Sequence, residues 1–239
     1  MKFPSDMCRR LGLVGSDNGL ICLSLKTEYN GVISAHRNKL ANNESLCICN
    51  PITRELVTLP GTLKIVDGVH VLAGFSYHPL TNEYKVVRIC YAGNPESPSY
   101  KGHAEVYTIG SGCGWRSVGE TDFKHKYIGE PTCVCVNGAL HWLSDDSVDI
   151  MVFDLAEEKF HLLHAPIEEI HDFRRIYVMR RCLCYEYYDH SDELLRLCFL
   201  EKNNEEEDII SSYYVNAQYY KSWSWNKEFT VLPNRFPTK

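Results

Sequence analysis

The residues best suited to chemistry in this chain are cysteines, histidines and carboxylates set close together. Cys47/Cys49, Cys133/Cys135 and Cys182/Cys184 are each Cys-x-Cys. Structural zinc is usually gripped by Cys-x2-Cys, which bends around the ion. Each pair here sits in an apolar run, where residues two apart share one face of a strand. That spacing predicts small hydrophobic thiols filling a core layer. His161 and His164 stand three apart, with His171 beyond. In FHLLHAP, read as a strand, they point to opposite faces and make no ligand set. His141, in ALHWL, reads as a core or rim histidine. Gly110, Gly112 and Gly114 form GSGCG, with no phosphate fingerprint and no helix behind it, so they turn a hairpin. Neither GxSxG nor HExxH occurs. Glu157/Glu158, Glu168/Glu169 and Asp145/Asp146 are adjacent pairs in turns, which does not supply the facing carboxylates, about 5–9 Å apart, of glycoside hydrolysis. The residues therefore predict no catalytic, cofactor-binding or metal-binding site, and no enzyme. They assign no protein-binding position either.

The elements that carry these residues are strands. Three stretches read as variants of one cassette: NPITRELVTLP from Asn50, YHPLTNEYKVVRI from Tyr77 and DLAEEKFHLLHAP from Asp154. Each is a strand, a polar turn and a second strand, with Asn, Asp, Pro and Thr supplying the turn backbone. Asn137-Gly138 between apolar runs is a strong hairpin signal, because both tip positions need positive φ. Ile176 to Tyr188 and Leu194 to Leu200 read as further strands, and Tyr213 to Val215 and Ser222 to Trp225 as the last ones. Tyr29 to His36 reads as a strand and Asn38 to Glu44 as a loop. Ala92 to Gly102 reads as an exposed loop. Only Glu168 to Arg174 offers a helical turn. Trp115, Trp142, Trp223 and Trp225 each fall on a strand. Trp223 and Trp225 share a face, so one of them is a candidate exposed hot spot.

A longer echo runs through the chain. Asn18-Gly19 and Asn137-Gly138 lie 119 residues apart, Asn50 and Asp154 lie 104 apart, and Trp115 and Trp225 lie 110 apart. Two similar passes of hairpins, roughly seventeen strands in all, predict an all-β, β-propeller-like array of four to five blades. The array is expected to be incomplete, and a β-sandwich is the alternative. Residues 1–11 read as a lead-in and 12–239 as one domain, with an acidic loop at 201–208. A propeller without its closing blade leaves an edge and an apolar face bare. Marginal stability or self-association is the expectation.

Bulk properties narrow the partners. The 239 residues carry a net charge of −6, and no basic run exceeds two residues. Phosphate neutralisation needs clustered cations, so no nucleic acid is expected. Eleven cysteines, an apolar-poor start (MKFPSDMCRRLGL) and no apolar run near the ~20 residues of a span point away from secretion and membranes. Free thiols in a reducing compartment, cytoplasmic or nuclear, are expected. The Asn43-Glu44-Ser45 sequon is then a chance match.

Six motifs, GSDNGLICL, ICNPITRELVTLP, GFSYHPLTNEYKVVRI, AEVYTIGSGCGWRSV, VCVNGALHWLS and IMVFDLAEEKFHLL, stand in the order of the plant F-box associated domain. The chain resembles that family closely over about residues 12–165 and more weakly over 175–231. The resemblance implies a kelch-like β-propeller that recruits a target. It implies a substrate receptor of an SCF-type cullin ubiquitin ligase, in the protein ubiquitination pathway, with no chemistry and no cofactor of its own. Asn50-Pro51 and Thr53 match the family's turn, and Trp115 and Trp142 its core tryptophans. Asp17 stands where the family often has Cys, a small change in a turn. In that family an F-box of about forty residues is expected before the first NGL strand, and only MKFPSDMCRRLGLVGS stands before it here. The Skp-type adaptor and cullin are therefore expected partners only where an F-box lies upstream. The target protein is unidentified. A free-standing propeller binding small molecules or glycans is the alternative, and a truncated nonfunctional fragment a third reading.

Overall fold

Sixteen antiparallel strands make up the computed structural model, which describes residues 11–25, 45–61, 70–94, 96–97, 99–124, 133–144, 147–171, 173–202 and 223–231. The strands fall into four four-stranded sheets, each a meander in which every strand pairs with its sequence neighbours. The first sheet holds β1 (Leu11–Asp17), β2 (Leu20–Leu25), β3 (Ser45–Asn50) and β4 (Glu55–Thr58). The second holds β5 (His70–His78), β6 (Glu83–Tyr91), β7 (Gly102–Thr108) and β8 (Trp115–Thr121). The third holds β9 (Val134–Val136), β10 (Ala139–Leu143), β11 (Ile150–Asp154) and β12 (Phe160–Leu163). The fourth holds β13 (Arg174–Met179), β14 (Cys182–Asp189), β15 (Leu194–Lys202) and β16 (Trp223–Val231). No described residue is helical. The expected strand at 29–36, the loop at 38–44 and the strand at 213–215 lie outside the described residues.

The chain divides into two compact units, residues 1–133 and 134–239. In the first, Cys22, Leu46, Ile48 and Leu59 of one sheet face Phe75 and Val86 of the next. In the second, Val134, Ile150, Val152 and Leu163 face Ile176, Leu183, Tyr185 and Leu200. Each unit thus buries the inner faces of two sheets against each other, the usual solution for a sheet with one apolar face.

The long echo in the sequence matches these units strand for strand. Asn18-Gly19 joins β1 to β2, and Asn137-Gly138 joins β9 to β10, each with positive φ at both positions. The Asn50 turn joins β3 to β4, and the Asp154 turn joins β11 to β12. Trp115 opens β8, and its indole N–H donates to the Pro60 carbonyl just past β4 at 2.9 Å. Trp225 on β16 donates to the His164 carbonyl just past β12 at 2.8 Å. The same latch, from the fourth strand of the second sheet to the end of the first sheet, occurs once per unit.

The cassette has a different meaning from the echo. It is a turn type that is not confined to equivalent places: two copies, between β3 and β4 and between β11 and β12, coincide with the echo, and the third lies between β5 and β6. In each, the first turn residue caps backbone N–H groups ahead of it. Asn50 Oδ1 accepts from Ile52 and Thr53 at 3.0 and 3.2 Å. His78 Nδ1 accepts from Thr81 at 3.3 Å. Asp154 Oδ1 accepts from Ala156 and Glu157 at 2.6 and 2.7 Å. The residue four positions on is left-handed: Arg54, Asn82 and Glu158 at φ of 63°, 52° and 56°. A fourth copy joins β14 to β15, where Asp189 Oδ1 accepts from Ser191 at 3.0 Å and Glu193 sits at φ 57°.

Several boundaries differ from the sequence reading. Glu168 to Arg174 contains bends and the first residue of β13, not a helical turn, because it carries no apolar period to pack against a core. Ile176 to Tyr188 is two strands joined at Arg180-Arg181, not one. Cys133 precedes β9 rather than lying within it. The final strand runs on to Val231. Glu201 and Lys202, expected in a loop, still pair with β16. Within 92–102, Tyr100 is buried and stacks on Tyr91 at 5.4 Å between ring centroids, which ties the loop down.

Candidate binding surface

Several polar side chains inside the units hold sheets and turns. Arg88 on β6 and Glu105 on β7 form a buried ion pair, with nitrogen–oxygen distances of 2.6 and 2.5 Å. The Arg88 guanidinium also lies 3.9 Å from the Trp115 ring centroid. Such a pair is sustained only by close geometry and further contacts, which the indole face provides. Asp154, the other buried carboxylate among the described residues, caps its turn. Glu157 of the expected carboxylate pair meets Lys159 at 3.4 Å. Glu168 and Glu169 are exposed in the connection before β13, and 145–146 lie outside the described residues.

Asp17 is not a turn residue. It ends β1, and its carboxylate accepts from the Ser76 hydroxyl at 2.5 Å and the Tyr77 N–H at 3.0 Å on β5. A carboxylate accepts two such bonds well, so it ties the first sheet to the second. Beside it, the Tyr84 hydroxyl donates to the Asn18 carbonyl at 2.7 Å. Burial, with the Asp17 charge and Tyr77 adding to it, pushes the Tyr84 hydroxyl up, which keeps it a neutral donor.

The cysteines are thiols throughout the described residues. Burial, with Cys47 close by, pushes the Cys22 thiol up. Burial likewise raises Cys47 and Cys90 to about 11. A protonated thiol is neither nucleophile nor metal ligand. No cluster of three or more His, Cys, Asp or Glu with metal-ligand geometry occurs among the described residues. His161 lies on β12, His164 pairs with Asp149 at 2.9 Å, and His171 packs on Tyr187 at 5.0 Å, so the three take separate surroundings. His141 is fully buried, with Nδ1 3.2 Å from the Val134 carbonyl, and burial lowers its pKa to about 4.

Among the described residues, apolar side chains also stand exposed. In the first unit they are Leu13, Ile52, Val57 and Leu80, and in the second Leu162, Ile170, Val178, Met179 and Phe229. Trp223 and Trp225, the expected hot spot, are half-buried and packed against the core of the second unit. The β13–β14 tip escaped the sequence reading because Arg-Arg is not a turn signal. The alternation of Ile176, Val178 and then Leu183 with Tyr185, which breaks phase across the two arginines, is the signal that was there to find.

A family model described as the F-box associated beta propeller domain matches residues 1–232. The chain is 25% identical over 257 residues to F-box protein At3g07870 of Arabidopsis thaliana, covering 97% of this chain and 53% of that protein. It is 35% identical to Putative F-box protein At4g38870 of the same plant, over 51% of this chain and 30% of the relative. It is 30% identical to F-box protein At5g65850, over 64% and 36% respectively. The chain thus spans about half the length, or less, of the relatives it matches.

Proposed function

The chain belongs to the F-box associated β-propeller domain family, and from that premise we propose that it is the target-recognition part of an F-box-type protein, serving an SCF-type cullin ubiquitin ligase and doing no chemistry of its own. The observation that carries this reading is the division of labour among side chains. Interior charges are spent on sheet ties and turn caps, as at Arg88–Glu105 and Asp154, while apolar side chains stand exposed both in turns, as Ile52 and Leu80, and on strands, as Leu13 and Phe229. A rigid scaffold that displays varied edges suits protein recognition. The description of the relatives as F-box proteins supports the same assignment. The partners are a target protein for ubiquitination and, where an F-box shares the polypeptide, a Skp-type adaptor and its cullin. The cytoplasm or nucleus is the setting in which free thiols persist.

The test is immunoprecipitation of the natural gene product, tagged at its C-terminus in plant cells, with and without proteasome inhibitor. Adaptor and cullin are expected to co-purify, along with a ubiquitinated protein that accumulates under inhibition. A product that retrieves neither the adaptor nor any protein stabilised by the inhibitor overturns the proposal.

A further inference from the structure

Among the described residues, three hairpins turn on two residues that both have positive φ. Asn18-Gly19 stands at 41° and 84°, Asn137-Gly138 at 54° and 74°, and Arg180-Arg181 at 53° and 64°. The pairing of Asp17 with Leu20, Val136 with Ala139 and Met179 with Cys182 across the tips makes them the same kind of turn. Left-handed backbone at both positions favours Asn-Gly, since Gly has no Cβ and Asn tolerates the region. Two arginines there strain the backbone. The chain therefore carries its own controls: two tips obey the turn's chemistry, and the third departs from it at both positions. Turn geometry gives no reason for arginine, so what the departure supplies is a pair of guanidinium groups at the tip.

Their surroundings fit recognition. Both arginines are exposed. The residues leading into the tip, Val178 and Met179, are 45% and 38% exposed. The Arg180 guanidinium carbon lies 5.7 Å from the ring of Phe229, itself 43% exposed. Two planar forks of donors thus stand beside an apolar patch, in a molecule whose net charge is −6. An acidic ligand is repelled by that overall charge and gains only where cations are concentrated, so a paired-arginine tip selects where it lands. Arginine matches carboxylates in bidentate fashion.

We infer that the β13–β14 tip is a docking surface for a partner protein's acidic segment, rich in Asp and Glu with apolar residues between them. Arg180 and Arg181 take the carboxylates, while Val178, Met179 and Phe229 take the apolar side chains. The inference rests on the target-recognition reading and names the chemistry of the segment recognised. It is tested without a ligase, so its failure is separate from failure of adaptor capture.

The probe is a dye-labelled peptide of alternating Glu and Leu, titrated with the purified chain by fluorescence anisotropy at low and at physiological salt. The informative variant is R180N/R181G, which restores the favoured tip. Its Kd is expected to rise by about tenfold or more, while its melting temperature rises by a few degrees as strain is relieved. Binding to the original chain is expected to weaken with salt. Unchanged affinity in the variant overturns the inference, as does equal binding of a Gln-for-Glu peptide. A fall in melting temperature would make the arginines structural and also overturn it. A further chain with Glu205, Glu206, Glu207 and Asp208 turned to amides is measured alongside. If only that chain binds the peptide, the tip serves the molecule's own acidic run and the partner assignment fails.

Discussion

At the scale of single residues, the buried charges decide most. Arg88 and Glu105 are both nearly inaccessible, and each is tolerable because the other is there. Glu105→Gln leaves the guanidinium buried without its counter-charge, so a loss of about 3 kcal/mol or more is expected in chemical denaturation. Replacing both, as R88M/E105L, is expected to cost less than that single change, since no charge is then stranded. A double variant worse than E105Q would show that the Trp115 contact, not the ion pair, dominates. His141 contributes a pH dependence of its own. Its folded pKa, about 4, lies below the ordinary 6.5 because burial disfavours the imidazolium. Between those values the unfolded chain takes up a proton that the folded chain refuses. Stability is therefore fully present above pH 6.5 and falls as pH drops towards 4, by up to about 3 kcal/mol. His141→Asn keeps a donor near the Val134 carbonyl and removes the titration. Denaturation midpoints between pH 7 and 5 are expected to flatten in that variant relative to the original chain.

At the scale of elements, the capped turn is the recurring device. Asp154 holds two backbone N–H groups at 2.6 and 2.7 Å, so Asp154→Ala removes both bonds from a turn whose fifth residue is left-handed. A loss of about 1–3 kcal/mol is expected, with Asp154→Asn retaining most of the stability because its amide oxygen still accepts. Equal losses in the two variants, measured in urea, would refute the capping role. These turns also mark what the sequence disclosed. Asn, Asp and Pro advertise turns because their backbone chemistry is local, so the tips at Asn18, Asn50 and Asn137 were readable from residues alone. The His78 and Asp154 turns were readable from the same signals. The β14–β15 copy carries the same local signal in Asp189. The β13–β14 tip was not readable from composition, because strain is a property of φ and Arg-Arg has no turn signature. Strands were legible through alternation, whereas the sheet ties were not: Asp17 reaches Ser76 across 59 residues, a contact that only the fold creates. The binding surface was illegible for the same reason, since exposure is decided by packing at a distance.

At the scale of the whole molecule, the two units repeat one construction. Each has its own core among the described residues, drawn from its own pair of sheets. Each is closed by an indole N–H reaching back to a carbonyl past the fourth strand, Trp115 to Pro60 and Trp225 to His164. Local cores imply local energetics, because a lost contact is felt first where its neighbours can relax. Trp→Phe keeps most of the apolar area and deletes the N–H bond, a change of about 1 kcal/mol. In native-state hydrogen exchange, Trp115→Phe is expected to hasten exchange in β4 and β8 while leaving β12 and β16 unchanged. Trp225→Phe is expected to do the reverse, and the double variant to show the sum. Faster exchange spread evenly over all sixteen strands by either substitution would mean that the units open as one body. The construction would then repeat in shape without being divided in stability, and a ligand docked at the β13–β14 tip would stabilise the whole chain rather than the second unit alone.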